Sequence, residues 1–173
     1  AGPTGPAIFI NSGSTAPTVS VGDVVDLDVT RVNDNNDFLE VTGVMNVMTV
    51  RTGANVNALI QDVSTATDTV ANVRAYESER IRITGTLADT GGFAGSGYRA
   101  YQMDTAGVMN DRDLRFRLPD GVDTQLAPSQ GCQLTASGAM WRFRSDAQPQ
   151  VWRTADISNV SCPLSASAMS ATS

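Results

Sequence analysis

The 173-residue sequence contains neither histidine nor lysine, and all twelve of its basic residues are arginines. Nucleophilic catalysis by serine or cysteine normally needs a histidine, a lysine or an N-terminal amine as its base. Zinc and copper sites need histidine or several cysteines. Carboxylate pairs such as Glu77/Glu79 and Asp26/Asp28 remain, but acidic residues spaced i,i+2 are typical of a solvent-facing strand. We therefore expect no enzyme activity and no organic cofactor.

Long apolar runs are also missing, so the sequence predicts no membrane span. A basic segment followed by an apolar one, as in a secretory signal, is not found. The chain starts AGPTGPAIFI rather than with methionine, as expected of a mature N-terminus whose signal peptide has been removed. We expect an extracellular or cell-surface protein.

Positive charge is scarce as well: the net charge is −6 and the pI is about 4.4. An acidic protein is repelled by a phosphate backbone unless its arginines gather on one face, which disfavours nucleic acid as a partner. Cysteine is limited to Cys132 and Cys162. In a secreted protein these two would form a disulfide that closes a loop of about thirty residues and contributes roughly 3–4 kcal/mol.

Alternating apolar and polar residues dominate what is present. This period of two is typical of half-buried β-strands with the apolar face inward. It predicts a shared core that contains Val25, Leu27, Val29, Ile81, Ile83, Leu114, Phe116, Trp141 and Phe143. Strands are predicted at 23–32, 38–42, 46–51, 79–87, 98–103, 114–118, 140–144 and 150–154, with turns such as LPDGVD between them. The best helix candidate, at 56–63, is short, so the predicted fold is all-β.

Two stretches resemble a known module. AIFINSGSTAPTVSVGDVVDLDVTRVNDNNDFLEVTGV and YESERIRITGTLADTGGFAGSGYRAYQMDTAG are similar, in order, to the OB-type β module that precedes the catalytic domain of bacterial extracellular nucleases. The resemblance covers about residues 7–107 and implies an OB-like barrel or sandwich of short antiparallel strands. It carries over no catalytic residue, because the nuclease domain itself has no counterpart in this chain.

The resemblance suggests a division of the chain. We assign residues 1–107 to an OB-like β region, and residues 108–173 to further β-strands with the Cys132–Cys162 disulfide, packed in the same domain. The strand–turn–strand pattern near residue 25 returns about 56 residues later, which predicts two related halves.

Two loops could bind ligands. The glycines of TGGFAGSG are followed by the strand-like YRAYQM, whereas a phosphate-binding loop must open a helix, so we interpret this loop as a hairpin bend. In NDNND, Asp34, Asn36 and Asp37 offer the oxygen ligands that calcium prefers, although they lack the spacing of an EF-hand. The same residues are typical of a plain turn. Calcium is the one cofactor that the sequence suggests.

Three classes of function remain open. The first, which we favour, is a non-catalytic secreted module with a structural, assembly or partner-binding role. The second is an accessory domain that holds nucleic acid or polysaccharide for an extracellular enzyme, and the third is an enzyme with a carboxylate-only site. An Arg cluster on one face would favour the second class, and a deep pocket with several carboxylates would favour the third.

The N-terminal segment suggests self-association. The resembling module has strands upstream of the segment that matches AIFINSG, so this chain should lack a first strand and expose a sheet edge. Ile8, Phe9 and Ile10 have strand propensity and could pair with such an edge on another chain, propagating a filament. The rival interpretation is that residues 140–144 or 150–154 complete the sheet within one monomer.

Overall fold

The computed structural model describes residues 7–11 and 17–163, in which short strands predominate. The strands are β1 (Phe9–Ile10), β2 (Val24–Asn35), β3 (Phe38–Arg51), β4 (Gln61–Asp62), β5 (Arg80–Leu87), β6 (Gly92–Phe93), β7 (Tyr98–Thr105), β8 (Arg115–Pro119), β9 (Gln133–Phe143), β10 (Asp146–Gln150) and β11 (Ile157–Ser161). The described residues contain one α-helix, α1 (Asp120–Leu126), and 3₁₀ turns at Val56–Leu59, Val73–Ala75 and Thr154–Asp156. Strand accounts for 49% and helix for 11%, which confirms the all-β prediction.

Five of the strands close into a barrel. Strand β5 pairs antiparallel with β9, β9 with β10, β8 with β7, and β7 with β5 again, while β10 and β8 are parallel. The helix α1 connects β8 to β9 across one end of the ring. This is the topology of an OB barrel, so the OB-like prediction is confirmed.

The barrel lies across the boundary that the sequence suggested. Its strands span residues 80–150, so β5 and β7 come from the predicted OB-like region and β8, β9 and β10 from the region after residue 107. The paired strands β7 and β8 lie on either side of residue 107. This corrects the expectation that the OB-like strands are contained in residues 1–107, with residues 108–173 adding strands to them.

The barrel interior is lined by alternate residues of each strand. In β5, Ile81, Ile83 and Leu87 are buried while Arg82 points to solvent, as the alternation predicts. Full burial of such a side chain contributes about 1.5–3 kcal/mol. The large side chains that are fully buried in this core are Ile81, Ile83, Leu87, Met103, Leu114, Phe116, Leu118, Leu134 and Met140.

Strand β9 has the opposite register from the predicted one. Leu134 and Met140 face the interior, whereas Trp141 is half-buried and Phe143 is 40% exposed. Gly138 lies on the same side of β9, and only glycine fits there, because a Cβ would lie 1.9 Å from the Gln150 carbonyl oxygen. The assignment of Trp141 and Phe143 to the core was therefore wrong, because the even-numbered residues of β9 already occupy it.

Strands β2 and β3 form a separate antiparallel ribbon, joined by a tight turn at Asn36 and Asp37. Val25 and Leu27 are only half-buried and Val29 is exposed, so their assignment to a common core with the barrel was wrong. The barrel closes without them, which leaves the ribbon no interior to line. Of the two segments proposed as related halves, one forms this ribbon and the other contributes the antiparallel barrel strands β5 and β7, and their relation stays a prediction.

Two further segments differ from prediction. The stretch read as a turn at LPDGVD continues into α1, which buries Val122 against the barrel and ends at Ala127 in a left-handed conformation. The N-terminal cap is Pro119, and the Pro-Asp-Gly sequence that it begins is also typical of a turn, so the sequence does not reveal where this helix starts. The strand predicted at 150–154 instead ends at Gln150, and the chain turns at Thr154–Asp156.

The predicted disulfide is confirmed: Cys132 and Cys162 are bonded, with their Cα atoms 4.0 Å apart. Cys132 precedes β9, and Cys162 follows β11, which pairs with β9. The bond therefore holds the last described strand against the barrel. Residues 1–6 of the N-terminal segment and the tail at 164–173 lie outside the described residues.

Candidate ligand-binding groove

A groove of about 440 Å³ crosses the outer face of β7, β8 and β10. The loop between β5 and β7 forms one wall, and the turn of the β2–β3 ribbon forms the other. In OB barrels this face and the loops beside it are the usual binding surface. The groove is lined by Asn35, Asn36, Phe93, Ala94, Gly95, Ala100, Arg115, Arg117, Trp141, Phe143, Asp146 and Gln148.

Arg117 lies at the base of the groove and is only 9% exposed. Phe116 and Leu118 face the barrel interior, so the alternation of β8 directs Arg117 outward. Its guanidinium donates to the Ala94 carbonyl through Nε at 3.3 Å and Nη2 at 3.2 Å, and Nη1 donates to Gln150. The group also lies 3.7 Å above the Tyr98 ring centroid. Burial lowers the pKa of Arg117, but the group remains a cation at neutral pH.

Arg115 points to the same face two residues earlier and has donors to spare. Its Nη2 donates to the Ala100 carbonyl at 3.3 Å, and its buried Nε has no partner. Among the described residues, the carboxylates within ion-pair distance of an arginine pair with Arg99, Arg142 and Arg153. The positive charges of Arg115 and Arg117 are therefore not neutralised by a direct ion pair.

Aromatic rings border these two arginines. Phe93 is 83% exposed on the loop wall, and Phe143 lies partly exposed at the end of β9. Arg144, in the turn after β9, places its guanidinium 5.4 Å from the Phe143 ring centroid. Strand alternation would place Arg144 on the face opposite Phe143, but Arg144 has a left-handed backbone and leaves the strand.

An acidic side chain, Asp146, lies among these groups. Burial raises the pKa of its carboxyl, and the nearby Asp113 carboxylate raises it further, while Gln148 and Arg115 act in the opposite direction. Protonation of Asp146 would remove a negative charge from the groove. The groove thus combines two guanidinium groups without an ion-pair partner, exposed aromatic rings and a carboxyl that is harder to ionise than usual.

The proposed calcium ligands form the turn of the ribbon. Asp34 Oδ1 accepts the Asp37 backbone N–H at 2.8 Å, and Asn36 and Asp37 both have positive φ angles. The Asn36 carbonyl accepts the Arg144 N–H, which ties the turn to the barrel. Within residues 7–11 and 17–163, no group of three or more His, Cys, Asp or Glu side chains is placed to hold a metal. Calcium binding here stays a prediction.

The N-terminal segment lies against its own chain. Strand β1 pairs in parallel with β3, with Phe9 opposite Glu40 and Ile10 opposite Val41. The Phe9 ring contacts Trp141 edge-on at 5.0 Å between centroids, and Phe38 lies 4.2 Å from Trp141. Ile8 remains exposed. The structure thus gives Phe9 and Ile10 an intramolecular role in covering the outward side of Trp141.

Sequence reasoning did not single out Arg115 and Arg117. The signal was the strand LRFRL, whose two arginines alternate with Phe116 and Leu118, since a strand at the predicted position must place both on one outer face. The sequence pattern does not show which strands lie beside that face. Only the barrel closure places β8 beside β10 and the aromatic end of β9.

No family model matches the sequence. No curated protein matches it either. The crystal structure of TiaS in complex with an isoleucine tRNA, AMPCPP and agmatine aligns with 64% of this chain and 26% of that chain, at 11% identity and a TM-score of 0.35. A likeness this weak distinguishes neither fold nor function, and the resemblance to the nuclease module stays a hypothesis.

Proposed function

We propose that this chain is a non-catalytic binding module that holds a single strand of nucleic acid in the groove on β7, β8 and β10. The observation that carries the proposal is the pairing of two guanidinium groups that lack a carboxylate partner, Arg115 and Arg117, with the exposed rings of Phe93 and Phe143. Arginines can bind phosphates, and each ring offers a platform for a base, which contributes about 1–3 kcal/mol per stacked base.

The acidic character of the whole chain limits this binding rather than forbidding it. A net charge of −6 repels a polyanion at long range, whereas Arg115 and Arg117 act at short range. Each phosphate neutralised on a single strand contributes about −0.7 to the slope of log K against log salt concentration. Two such contacts predict a slope near −1.4, and thus only about sevenfold weaker binding between 50 and 200 mM salt.

The proposal includes no catalytic step. The sequence has no histidine or lysine to serve as a base, and among the described residues Asp146 is the one carboxylate that lines the groove. An extracellular setting is part of the same proposal, because the Cys132–Cys162 bond is typical of an oxidising compartment. No helix within the described ranges is long and apolar enough to cross a membrane.

Binding can be measured by the fluorescence anisotropy of a labelled twelve-residue oligothymidylate. We expect Arg115→Ala to weaken binding about tenfold or more, as for loss of a charge-assisted hydrogen bond. Arg82→Ala is the matched control, because Arg82 is exposed on β5 outside the groove. Circular dichroism establishes that both variants are folded.

Three results would overturn the proposal. One is wild-type protein that does not bind the oligonucleotide at 20 mM salt. Another is an equal loss of binding in Arg115→Ala and Arg82→Ala. The third is displacement of the oligonucleotide by polygalacturonate at a lower concentration than by unlabelled oligothymidylate, which would identify an acidic polysaccharide as the better ligand.

A further inference from the structure

The Phe143 ring and the Asp146 carboxyl lie side by side in the groove on β7, β8 and β10. Phe143 is the last residue of β9 and Asp146 the first of β10, and the two are direct cross-strand partners. Side chains of such partners point to the same face of a sheet, with their Cβ atoms about 4.5–5.5 Å apart. The two-residue turn of Arg144 and Ser145 holds the strands in this register. Since both side chains line the groove, they face the same ligand.

Asp146 has hydrogen-bonding capacity left for that ligand. Among the described residues its carboxylate accepts one hydrogen bond, from Gln148 Nε2 to Oδ2 at 3.4 Å, and no arginine forms an ion pair with it. A carboxylate can accept about four hydrogen bonds. Burial raises the pKa of Asp146, as expected of a carboxylate that water solvates poorly. A ligand with N–H donors would therefore satisfy a group that the protein itself satisfies only in part.

A base that stacks on Phe143 has one edge within reach of Asp146, because the carboxyl lies beside the ring. Stacking also removes water from the carboxylate, and an ionised carboxylate that loses water without gaining donors costs free energy. The edge that meets Asp146 must therefore present N–H groups. This step rests on the proposed function, since it concerns which base the groove takes once a single strand is bound.

The bases differ in the donors that they can offer a carboxylate. The Watson–Crick edge of guanine carries two adjacent donors, N1–H and N2–H, which match the two carboxylate oxygens. Adenine and cytosine each present one amino donor beside the lone pair of a ring nitrogen, which a carboxylate repels. Thymine and uracil present N3–H between two carbonyl oxygens. We propose that Asp146 selects guanine among the bases that stack on Phe143.

Position and specificity then come from different residues. Arg115 and Arg117 contact phosphates, which are the same in every nucleotide and carry no sequence information. Asp146 is the one carboxylate among the described residues that line the groove. Its charge disfavours every nucleotide to the same extent, and only guanine offsets it with two hydrogen bonds. The expected result is a preference at one position of the strand rather than recognition of a long sequence.

Fluorescence anisotropy with four labelled dodecamers tests the preference. Each is oligothymidylate with guanine, hypoxanthine, adenine or thymine at the sixth position. Hypoxanthine is guanine without its 2-amino group, so it offers one donor in place of two. A single guanine also avoids four-stranded structures, which need runs of guanine. We expect the guanine strand to bind about fivefold more tightly than oligothymidylate, with the hypoxanthine strand in between.

Two substitutions that each remove one negative charge separate base reading from simple electrostatics. Asp146→Asn keeps the side-chain shape but replaces an acceptor oxygen by an NH2 group, so the guanine preference should fall below about twofold. Asp113→Asn is the matched control, because the Asp113 carboxylate is near enough to raise the pKa of Asp146 but is not among the described residues that line the groove. It should change the affinity for all four strands alike. Circular dichroism establishes that both variants are folded.

The outcomes distinguish this inference from the proposed function. Equal affinity of the wild-type protein for the guanine strand and for oligothymidylate would overturn the inference and leave the binding function intact. So would equal affinity for guanine and hypoxanthine, or a guanine preference that persists in Asp146→Asn. Failure to bind any of the four strands at 20 mM salt would instead overturn the proposed function, and this inference with it.

Discussion

The Tyr101 hydroxyl donates a 2.5 Å hydrogen bond to Asp123 Oδ1 and so joins β7 of the barrel to α1. Arg99 adds an ion pair to the other carboxylate oxygen at 3.6 Å. Burial first, and then the bond to Asp123, raise the pKa of Tyr101 to about 12. Helix α1 is thus joined to the barrel by a tyrosine hydroxyl whose pKa is raised.

This bond predicts a pH dependence of stability. An unfolded tyrosine has a pKa near 10, so the folded state binds the proton more tightly and the stabilisation is complete below about pH 10. It is lost as the pH rises from 10 to about 12. Tyr101→Phe should therefore be less stable than the wild type at pH 9, and the difference should shrink by pH 11, in urea unfolding at each pH. Tyr76, which donates to Asp68 and whose pKa is also raised to about 12, contributes in the same direction. A constant difference across this range would contradict the assignment.

The register of β9 can be tested with two truncations. Met140→Ala removes a side chain from the barrel interior and should lower the free energy of unfolding by about 2–5 kcal/mol. Phe143→Ala, on the outward face, should cost clearly less but should weaken oligonucleotide binding. Urea unfolding compares the two, and a larger stability loss at Phe143 would mean that the predicted register was right after all.

Asp146 should make ligand binding depend on pH. Its pKa is raised by burial, so its negative charge in the groove is lost as the pH falls through that pKa, which lies above the ordinary value of 3.8. Binding of an anionic ligand should strengthen over the same window. Asp146→Asn should bind roughly two- to fivefold more tightly at pH 7, with a weaker dependence on acidification, in anisotropy titrations at pH 7 and pH 5. Equal affinities for the variant and the wild type at pH 7 would contradict this role.

The disulfide should stabilise the barrel, and the barrel should keep the same fold when the disulfide is removed. Replacement of both Cys132 and Cys162 by serine opens a loop of about thirty residues and should cost roughly 3–4 kcal/mol of unfolding free energy. The circular dichroism spectrum should stay that of the wild type. Mass spectrometry of native protein, with and without reductant, establishes the bond first, and free thiols in that material would disprove it.

The alternation of apolar and polar residues was enough to predict most strands, because a closed barrel buries one face of each strand. In β5 the pattern of Ile81, Arg82 and Ile83 has one possible reading. In β9 two registers are possible, because Met140 is apolar at an even-numbered position and Trp141 and Phe143 are apolar at odd-numbered positions. The deciding residues, Leu134 and Gly138, lie earlier in the strand and matter only when β10 and β5 are placed beside it.

The ribbon shows a second limit of the pattern. Val25, Leu27 and Val29 alternate as regularly as the barrel strands do, yet no layer of the described residues covers them fully. Periodicity tells which residues share a face, but it does not tell what lies against that face. The groove was missed for the same reason, because Arg115 and Phe143 meet only through strand pairings that are distant in sequence.

The closure of the ring has a kinetic consequence. Strand β5 meets β9 through pairs that run from Thr86 with Gln133 to Arg80 with Ala139, 47 to 59 residues apart in sequence. Bringing such distant segments together is entropically costly, and chains dominated by non-local pairings fold in milliseconds to seconds rather than microseconds. Until this pairing forms, β5 and β9 both present open edges to other chains. A newly synthesised molecule is therefore most prone to aggregation in the interval before its first and fourth barrel strands find each other.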